Sequence, residues 1–328
     1  MTSHVEESTL RPKLDTSFYS LEGEELEFFR TLTGIADEED LKAHIVDVQA
    51  KAYQIYGYNC IRRFNFVKLK IARLPAYKDA LKLLHQQTKP ILLDIGCCFG
   101  NDIRKAVLDG WPVEDVIASD LRKGFWDYGH ELFKSSPESF PAAFISGDIF
   151  DRAMLEPRGP FLDIEEMNSV LATPVPSLHG LTSLTPLQGK VSAIHTSAFF
   201  HLFPEDQQLA LAHRLASLLS PETGSIIFGQ HGSRPEKGFR TEGSSKVRVA
   251  AAQAVGAPVT DYAMFCHSPE SWKEMWEKDV FGGNDGAGEK RIKVDAELVQ
   301  VQRKDLLDHT LASESTKFYV MNWSITRL

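Results

Sequence analysis

This sequence predicts an α/β domain built on a largely parallel sheet, with a helical segment in front of it. Three observations predict that fold class. The run Ile91-Leu-Leu-Asp-Ile-Gly-Cys-Cys-Phe-Gly100 reads as a short apolar strand that ends in an acid and a glycine-bearing turn, and Asn101 to Val107 continues it as a helix. Acids close three consecutive strand-like runs, at Asp94, Asp120 and Asp148. After the last helical stretch, Val294–Gln302 and Lys317–Thr326 both alternate apolar and polar residues with the period of a strand.

Taken in order, residues 1–20 are polar and read as mobile. From Leu21 to about Gln87 the pattern is helical: Leu26, Phe28, Phe29 and Leu32, then Leu41, Ile45, Val48 and Ala52, recur at three- and four-residue spacing. Between these helices, Tyr56 to Phe64 is too irregular and aromatic for a plain surface helix. The expected domains are therefore a cap, residues 1–88, and a core, residues 89–328. Within the core the second strand is Val116–Leu121 and the third Phe144–Phe150. Residues 151–190 hold five prolines and few periodic apolar positions, an insertion long enough to suggest a functional or mobile segment. Val191–His195 is the fourth strand, Gln207–Leu219 a helix behind Pro204, and Gly224–Gly229 the fifth strand. A second loop-rich insertion spans 230–266, and Ser268-Pro269-Glu270 then has the cap, first-turn proline and acid of a helix start.

Gly96 and Gly100 suit a turn that needs positive φ or lies close to a ligand. A dinucleotide fingerprint would put a glycine where Cys98 stands, and Asp94 would repel a phosphate. A cationic ligand fits better. S-adenosylmethionine, with its ammonium and sulfonium, is the expected cofactor, and S-adenosylhomocysteine the product. Asp120 is placed to accept ribose hydroxyls and Asp148 to receive an adenine amino group.

Composition narrows the class further. The chain has 328 residues, 43% hydrophobic and 25% charged, as in ordinary globular enzymes. A formal charge of −9 opposes an extended contact with nucleic acid. Neither a spanning apolar run of about 20 residues nor a secretory leader is evident. Cys60, Cys97, Cys98 and Cys266 form neither a C-x-x-C pair nor a zinc pattern, so a reduced, cytoplasmic setting is expected. Cys97 and Cys98 read as small residues packed in the turn. No acid cluster suits a magnesium ion, so no metal is expected.

Several of these runs carry a family resemblance. Tyr56-x-Tyr58-x-Cys60-Ile61-x-Arg63-Phe64, the stretch Leu93 to Arg104, Ser119-Asp120-Leu121 and Asp148-Ile149-Phe150-Asp151 resemble fungal class I methyltransferases of polyketide and meroterpenoid gene clusters, over roughly residues 25–328. The resemblance implies a Rossmann-like, seven-stranded, mostly parallel sheet whose last strand is antiparallel, behind an N-terminal helical cap. It implies an S-adenosylmethionine-dependent O-methyltransferase acting on a small molecule, and several members of that family make methyl esters from carboxyl groups. By resemblance, Asp120-Leu121 and Asp148-Ile149 carry the ribose and adenine contacts. The cofactor set is then Asp94, Gly96, Cys97, Gly100, Asp120, Leu121, Asp148, Ile149 and Thr196 in the core, with Tyr58 and Arg63 in the cap. Arg63 is either a bidentate partner for the cofactor's carboxylate or a surface ion pair.

The nucleophile decides what else is needed. A carboxylate, with a pKa of about 4, is already ionised, whereas a phenol near about 10 wants a general base. His201 and His195 flank the turn after the fourth strand, where substrates enter such folds. His201 is the candidate for substrate contact or base, His195 reads as a cofactor-side or core residue, and His231 completes the catalytic candidates. His213 lies within a helix and is expected to be solvated. Phe199 and Phe200 are expected to wall the acceptor pocket, with Tyr56 beside them. Rival readings are a non-catalytic cofactor-binding regulator and an NAD-dependent oxidoreductase. A homodimer is a further expectation that no motif addresses.

Overall fold

The computed structural model describes residues 12–246, 249–250, 263–307 and 310–328. Residues 1–11 and part of the second expected insertion, 251–262, lie outside the described residues. Short runs of buried apolar side chains make the central strands: β1 (Leu92–Ile95), β2 (Val116–Asp120), β3 (Ala143–Ser146), β4 (Ala193–His195) and β5 (Ile226–Ser233), all parallel. Near-continuous hydrophobicity is what a parallel strand covered on both faces requires. A separate two-stranded ribbon, β6 (Gly238–Arg240) with β7 (Met264–Cys266), follows. The sheet is completed by β8 (Ile292–Val301) and β9 (Phe318–Arg327), in the order β3-β2-β1-β4-β5-β9-β8, with β9 antiparallel to both neighbours. This is the expected seven-stranded sheet with its antiparallel last strand.

Adjacent side chains on each strand point to opposite faces, so consecutive residues enter different cores. Leu92, Val116, Ala118 and Phe228 pack on one face with Tyr77, Leu83, Ile103 and Ala106, which come from two helices. In chain order the helices before them are α1 (Gly23–Thr33), α2 (Glu38–Ile55), α3 (Asn59–Arg62) and α4 (Lys70–Arg73), with α5 at Tyr77–Gln86 and α6 at Asn101–Leu108. Leu93, Ile117, Ile194 and Ile227 face the other way. There they meet Leu211, Leu215 and Leu218 of a later helix (Glu205–Leu218) and the indoles Trp272 and Trp276. Between these faces in sequence lie α7 (Lys123–Leu132) and α8 (Ile164–Ala172), so the Glu205–Leu218 helix is α9, and Pro269–Glu274 is α10.

The cap buries its own stripe. Phe28 and Phe29 of α1 and Leu41, Ile45, Val48 and Ala52 of α2 pack on Phe125 and Leu132 of α7, on Phe133 that caps it, and on Phe99 of the turn after β1. Asp37 caps α2, accepting from the backbone N–H groups of Glu39 and Asp40 at 3.0 Å each. Residues 12–20, read from sequence as mobile, are instead tied down. The Tyr53 hydroxyl donates to Pro12 O (2.8 Å), Arg62 Nε to Lys13 O (2.8 Å) and Lys68 Nζ to Ser20 O (2.7 Å).

Other departures have similar causes. The 151–190 segment contains α8, capped by Asp163, and buries Leu155, Phe161, Leu184 and Leu187. β3 stops at Ser146, so Asp148 lies in the turn beyond it. β5 runs on to Ser233 because β9 pairs with it over its whole length. His213, expected to be solvated, is half-buried in α9 and burial lowers its pKa. No described helix is long and apolar enough to cross a membrane.

Candidate active site

The strand order reverses between β1 and β4, whose chains leave the sheet in opposite directions and open a crevice at their carboxyl ends. Register fixes what lies there, because Asp94 of β1 and His195 of β4 are direct neighbours across the ladder. His195 Nδ1 sits 2.9 Å from Asp94 Oδ1, with both side chains almost wholly buried. Its other ring nitrogen, Nε2, is 2.8 Å from Ser197 Oγ. Asp102, in the first turn of α6, completes the charged group, and one polar atom from each of Asp94, Asp102 and His195 lies within 4.8 Å of the others. Burial opposes the imidazolium, yet the two carboxylates outweigh it and raise the His195 pKa.

These side chains line a half-open cleft with about 450 Å³ of empty space. Its floor is the turn, with Gly96, Cys97 and Cys98, and its roof is the cap segment from Cys60 to Lys70. The roof is anchored to α6. Ile71 N–H donates to Asp102 Oδ1 at 2.9 Å, and Asn101 Nδ2 donates to Phe66 O. Lys70 faces the acids of this cleft without an ion pair among the described residues.

The turn is tightly held. Gly96 (φ +74°) leaves room for the Phe199 ring, which a Cβ there would meet at 2.8 Å. Cys98 adopts φ +51°, the left-handed conformation that glycine takes without penalty, and its N–H donates to Asp120 Oδ2 at 3.0 Å. Asp120 Oδ1 accepts from Arg122 N–H at 2.9 Å. Each oxygen thus takes one backbone donor and keeps lone-pair capacity for a ligand hydroxyl. Burial raises the Asp120 pKa. Farther along the strand ends, Leu121 is 53% exposed, Asp148 is exposed and accepts from Phe150 N–H (2.9 Å), and Ile149 is buried. Thr196 is buried, its N–H donating to Phe228 O at 3.0 Å.

Not every expected residue reaches this cleft. Arg63 Nε lies 3.0 Å from Asp305 Oδ2, and Asp305, 5% exposed, also holds Arg303. Of the two sequence readings, the structure shows an ion pair, to the β8–β9 connection, and Arg63 is not among the cleft's lining residues. His231, placed by its sequence position just beyond the fifth strand, is inside β5 and 3% exposed. Its Nδ1 accepts from Trp323 Nε1 at 2.9 Å, and its ring packs on Trp272 at 4.6 Å. His201 Nδ1 accepts from Gly232 N–H at 3.0 Å, and burial with Arg240 nearby pushes its pKa down to about 3. Phe200 is fully buried against Trp272, Trp276 and Trp323, whereas Phe199 stays half-exposed beside Gly96. The rings of Tyr56 and Tyr58 pack 4.4 Å apart at a tilt of 48°, and the Arg122 guanidinium lies 4.4 Å over Tyr56. Ser197, Asp102 and Lys70 also line the cleft and were not singled out from the sequence. Only Asp102 had a visible signal, its place just behind the glycine turn.

A parallel sheet reversing at β1/β4, an antiparallel β9 between β5 and β8, and acids at successive strand ends define a class I methyltransferase fold. Residues 15–67 match the family described as meroterpenoid methyltransferase N-terminal domain. The O-methyltransferase phiE of Fungal sp. (strain ATCC 74256) is 31% identical over 240 residues, 73% of this chain and 65% of that protein. The Asnovolin E/Chermesin D methyltransferase nvfJ of Aspergillus novofumigatus is 26% identical over 289 residues, 88% of this chain and 83% of that one. Along most of its length the chain is similar to these fungal methyltransferases. It spans 65% of the length of phiE. Among solved structures, the plantazolicin methyltransferase BpumL aligns with a TM-score of 0.43 at 14% identity, covering 89% of this chain and 100% of that one, a likeness too loose to add to the sheet order.

Proposed function

We propose that this chain is an S-adenosylmethionine-dependent O-methyltransferase whose acceptor is a carboxylate of a small secondary metabolite, giving a methyl ester. The charges of the cleft fit the cofactor's amino-acid end: Asp94 and Asp102 suit an ammonium, and Lys70 suits a carboxylate. Lys70 thus takes the part first assigned to Arg63. Asp120 is the ribose acceptor, and Gly96 and Cys97, which line the cleft, flank the ligand in this reading. Bound there, the cofactor supplies a methyl group on a sulfonium that leaves as a neutral thioether. The chain's own work is alignment and exclusion of water, which is where proximity contributes most. The roof segment from Cys60 to Lys70 is the lid in this reading.

The state of the histidines carries the choice of carboxylate. His201, held to about 3 with Nδ1 occupied, is too weak a base for a phenol. His231 is shut in an aromatic core. A nucleophile that arrives ionised needs neither, and the reading needs no metal. The test is a mass-spectrometric screen of aromatic acids, terpenoid acids and phenols with the cofactor. Methyl esters formed, at saturating acceptor, at a rate nearly flat from pH 6 to 8 are expected. Methyl ethers formed at a rate that climbs steeply over that range, and is lost in His201→Gln, would replace this reading with a hydroxyl acceptor.

A further inference from the structure

Ser197 is the one neutral polar side chain of the β4 turn that lines the cleft. The turn that presents it is strained: Ala198, its neighbour, has φ +56°, a conformation that costs a non-glycine residue about 1–2 kcal/mol. What holds the turn is β5, since Ala198 N–H donates to Gln230 O at 2.7 Å and Gln230 N–H donates to Ser197 Oγ at 3.2 Å. Among the described residues Ser197 Oγ therefore has two hydrogen-bond neighbours, the Gln230 N–H and His195 Nε2 at 2.8 Å.

A hydroxyl oxygen has two lone pairs and one proton. The Gln230 amide can only donate, so it takes one lone pair. His195 decides the rest. As an imidazolium it donates from both ring nitrogens, to Asp94 and to Ser197, and fills the second lone pair. The Ser197 proton then has no acceptor behind it and turns into the cleft. As a neutral ring donating to Asp94, His195 accepts at Nε2, the Ser197 proton points back to it, and the cleft sees a lone pair.

We propose that Ser197 seats the acceptor, and that His195, held as an imidazolium by Asp94, makes the Ser197 hydroxyl a donor and so selects a carboxylate oxygen over a neutral hydroxyl. This rests on the methyltransferase reading above and adds a specificity-determining residue to it. The groups facing His195 agree with the required charge state: Asp94 from β1 and Asp102 from α6 favour the imidazolium, Lys70 from α4 opposes it, and Phe228 of β5 covers the ring at 5.4 Å. Because the folded pKa of His195 is raised, the donor state persists above the ordinary value of about 6.5 and is lost as pH climbs through the raised one.

The experiment is calorimetric titration of benzoate into the full chain saturated with S-adenosylhomocysteine, at pH 6 and pH 9. Benzoate is ionised at both values, so its own titration does not enter. Wild type should bind benzoate at least tenfold more tightly at pH 6 than at pH 9. Ser197→Ala should bind at pH 6 as weakly as wild type does at pH 9, with no pH dependence left, while Ser197→Thr, which keeps the hydroxyl, restores both. Wild-type affinity in Ser197→Ala at pH 6, or a pH dependence that survives the substitution, overturns the proposal. The affinity for S-adenosylhomocysteine, measured in the same series, separates the two levels. Its absence in wild type removes the cofactor reading, whereas its retention with indifferent benzoate binding removes Ser197 alone.

Discussion

Gly129→Ala tests a close backbone contact behind the turn after β1. Gly129 lies on the inner side of α7, and a Cβ there would stand 2.3 Å from Phe99 O, 2.9 Å from its carbonyl carbon and 3.2 Å from its Cα. All three atoms are backbone, so no side-chain rotation relieves the clash. The Phe99 carbonyl would have to retreat by roughly 1 Å to regain ordinary van der Waals contact. Two effects of opposite sign compete. In an unconstrained helix, replacing glycine with alanine stabilises by about 1 kcal/mol. Overpacking a filled contact costs about 1–3 kcal/mol. The clash should win by up to about 2 kcal/mol, a fall in Tm of a few degrees at about 2 °C per kcal/mol for a large chain. Because the displaced turn carries the Cys98 N–H that docks on Asp120, affinity for S-adenosylhomocysteine should drop at least tenfold. Gly124→Ala is the internal control. It lies in the same helix, but its Cβ would meet only the mobile tip of Ile55, at 2.6 Å from Cδ1, and should leave both readouts near wild type. Calorimetric melting and ligand titration of the two variants suffice. A Gly129→Ala protein that melts at or above wild type and keeps its ligand affinity would show that α7 does not brace the turn, and the cofactor assignment of the turn would fall with it.

Asp120→Ala should weaken S-adenosylhomocysteine binding at least tenfold, about 1.4 kcal/mol, and unchanged affinity by calorimetry would remove Asp120 from the site. Arg63→Ala should lower Tm, since it leaves the buried Asp305 with Arg303 alone, yet leave ligand affinity intact; Lys70→Met should do the reverse, and swapped outcomes would return the carboxylate to Arg63. Acid should destabilise the fold early, because His201 (about 3) and His267 (about 4) are held neutral by burial and His231 is lowered as well. Their ordinary pKa is about 6.5, so below it the unfolded chain binds protons first; stability is complete above that pH and falls by about 1.4 kcal/mol per unit for each histidine as pH drops toward 4. Urea unfolding at pH 7 and 5.5 that gave equal stabilities would contradict the burial of these rings.

Where side-chain periodicity or strand-end chemistry decides an element, the sequence was enough. Asp94, Asp120 and the glycine turn were legible because a short apolar strand must stop there and turn into a helix. The failures share a different cause. Arg63 and Lys70 lie seven residues apart at and just beyond the irregular stretch of the cap, and only the fold of that cap says which cation lines the cleft with the acids. His231 was misplaced because the length of β5 is set by β9, a pairing partner far away in sequence. His201 looked free because its partner is a backbone N–H at Gly232, which carries no residue-type signal. Ser197 sits in a turn held by Gln230 and His195, contacts that exist only once β4 and β5 are side by side.

The position of β9 bears on how the chain is made. β9 separates β5 from β8, so eight residues of β5 have no partner on that side until residues 319–326 have been synthesised. During that interval β5 presents a row of open backbone donors and acceptors on a strand that begins with Ile226, Ile227 and Phe228, the kind of edge that other chains can join. Pairing across so long a loop is also slow. Yield in a heterologous host should therefore depend more on translation speed and chaperone supply than on the final melting temperature. Variants that weaken the Trp323–His231 contact should show this first, as aggregates formed during synthesis by protein that, once folded, is nearly as stable as the parent.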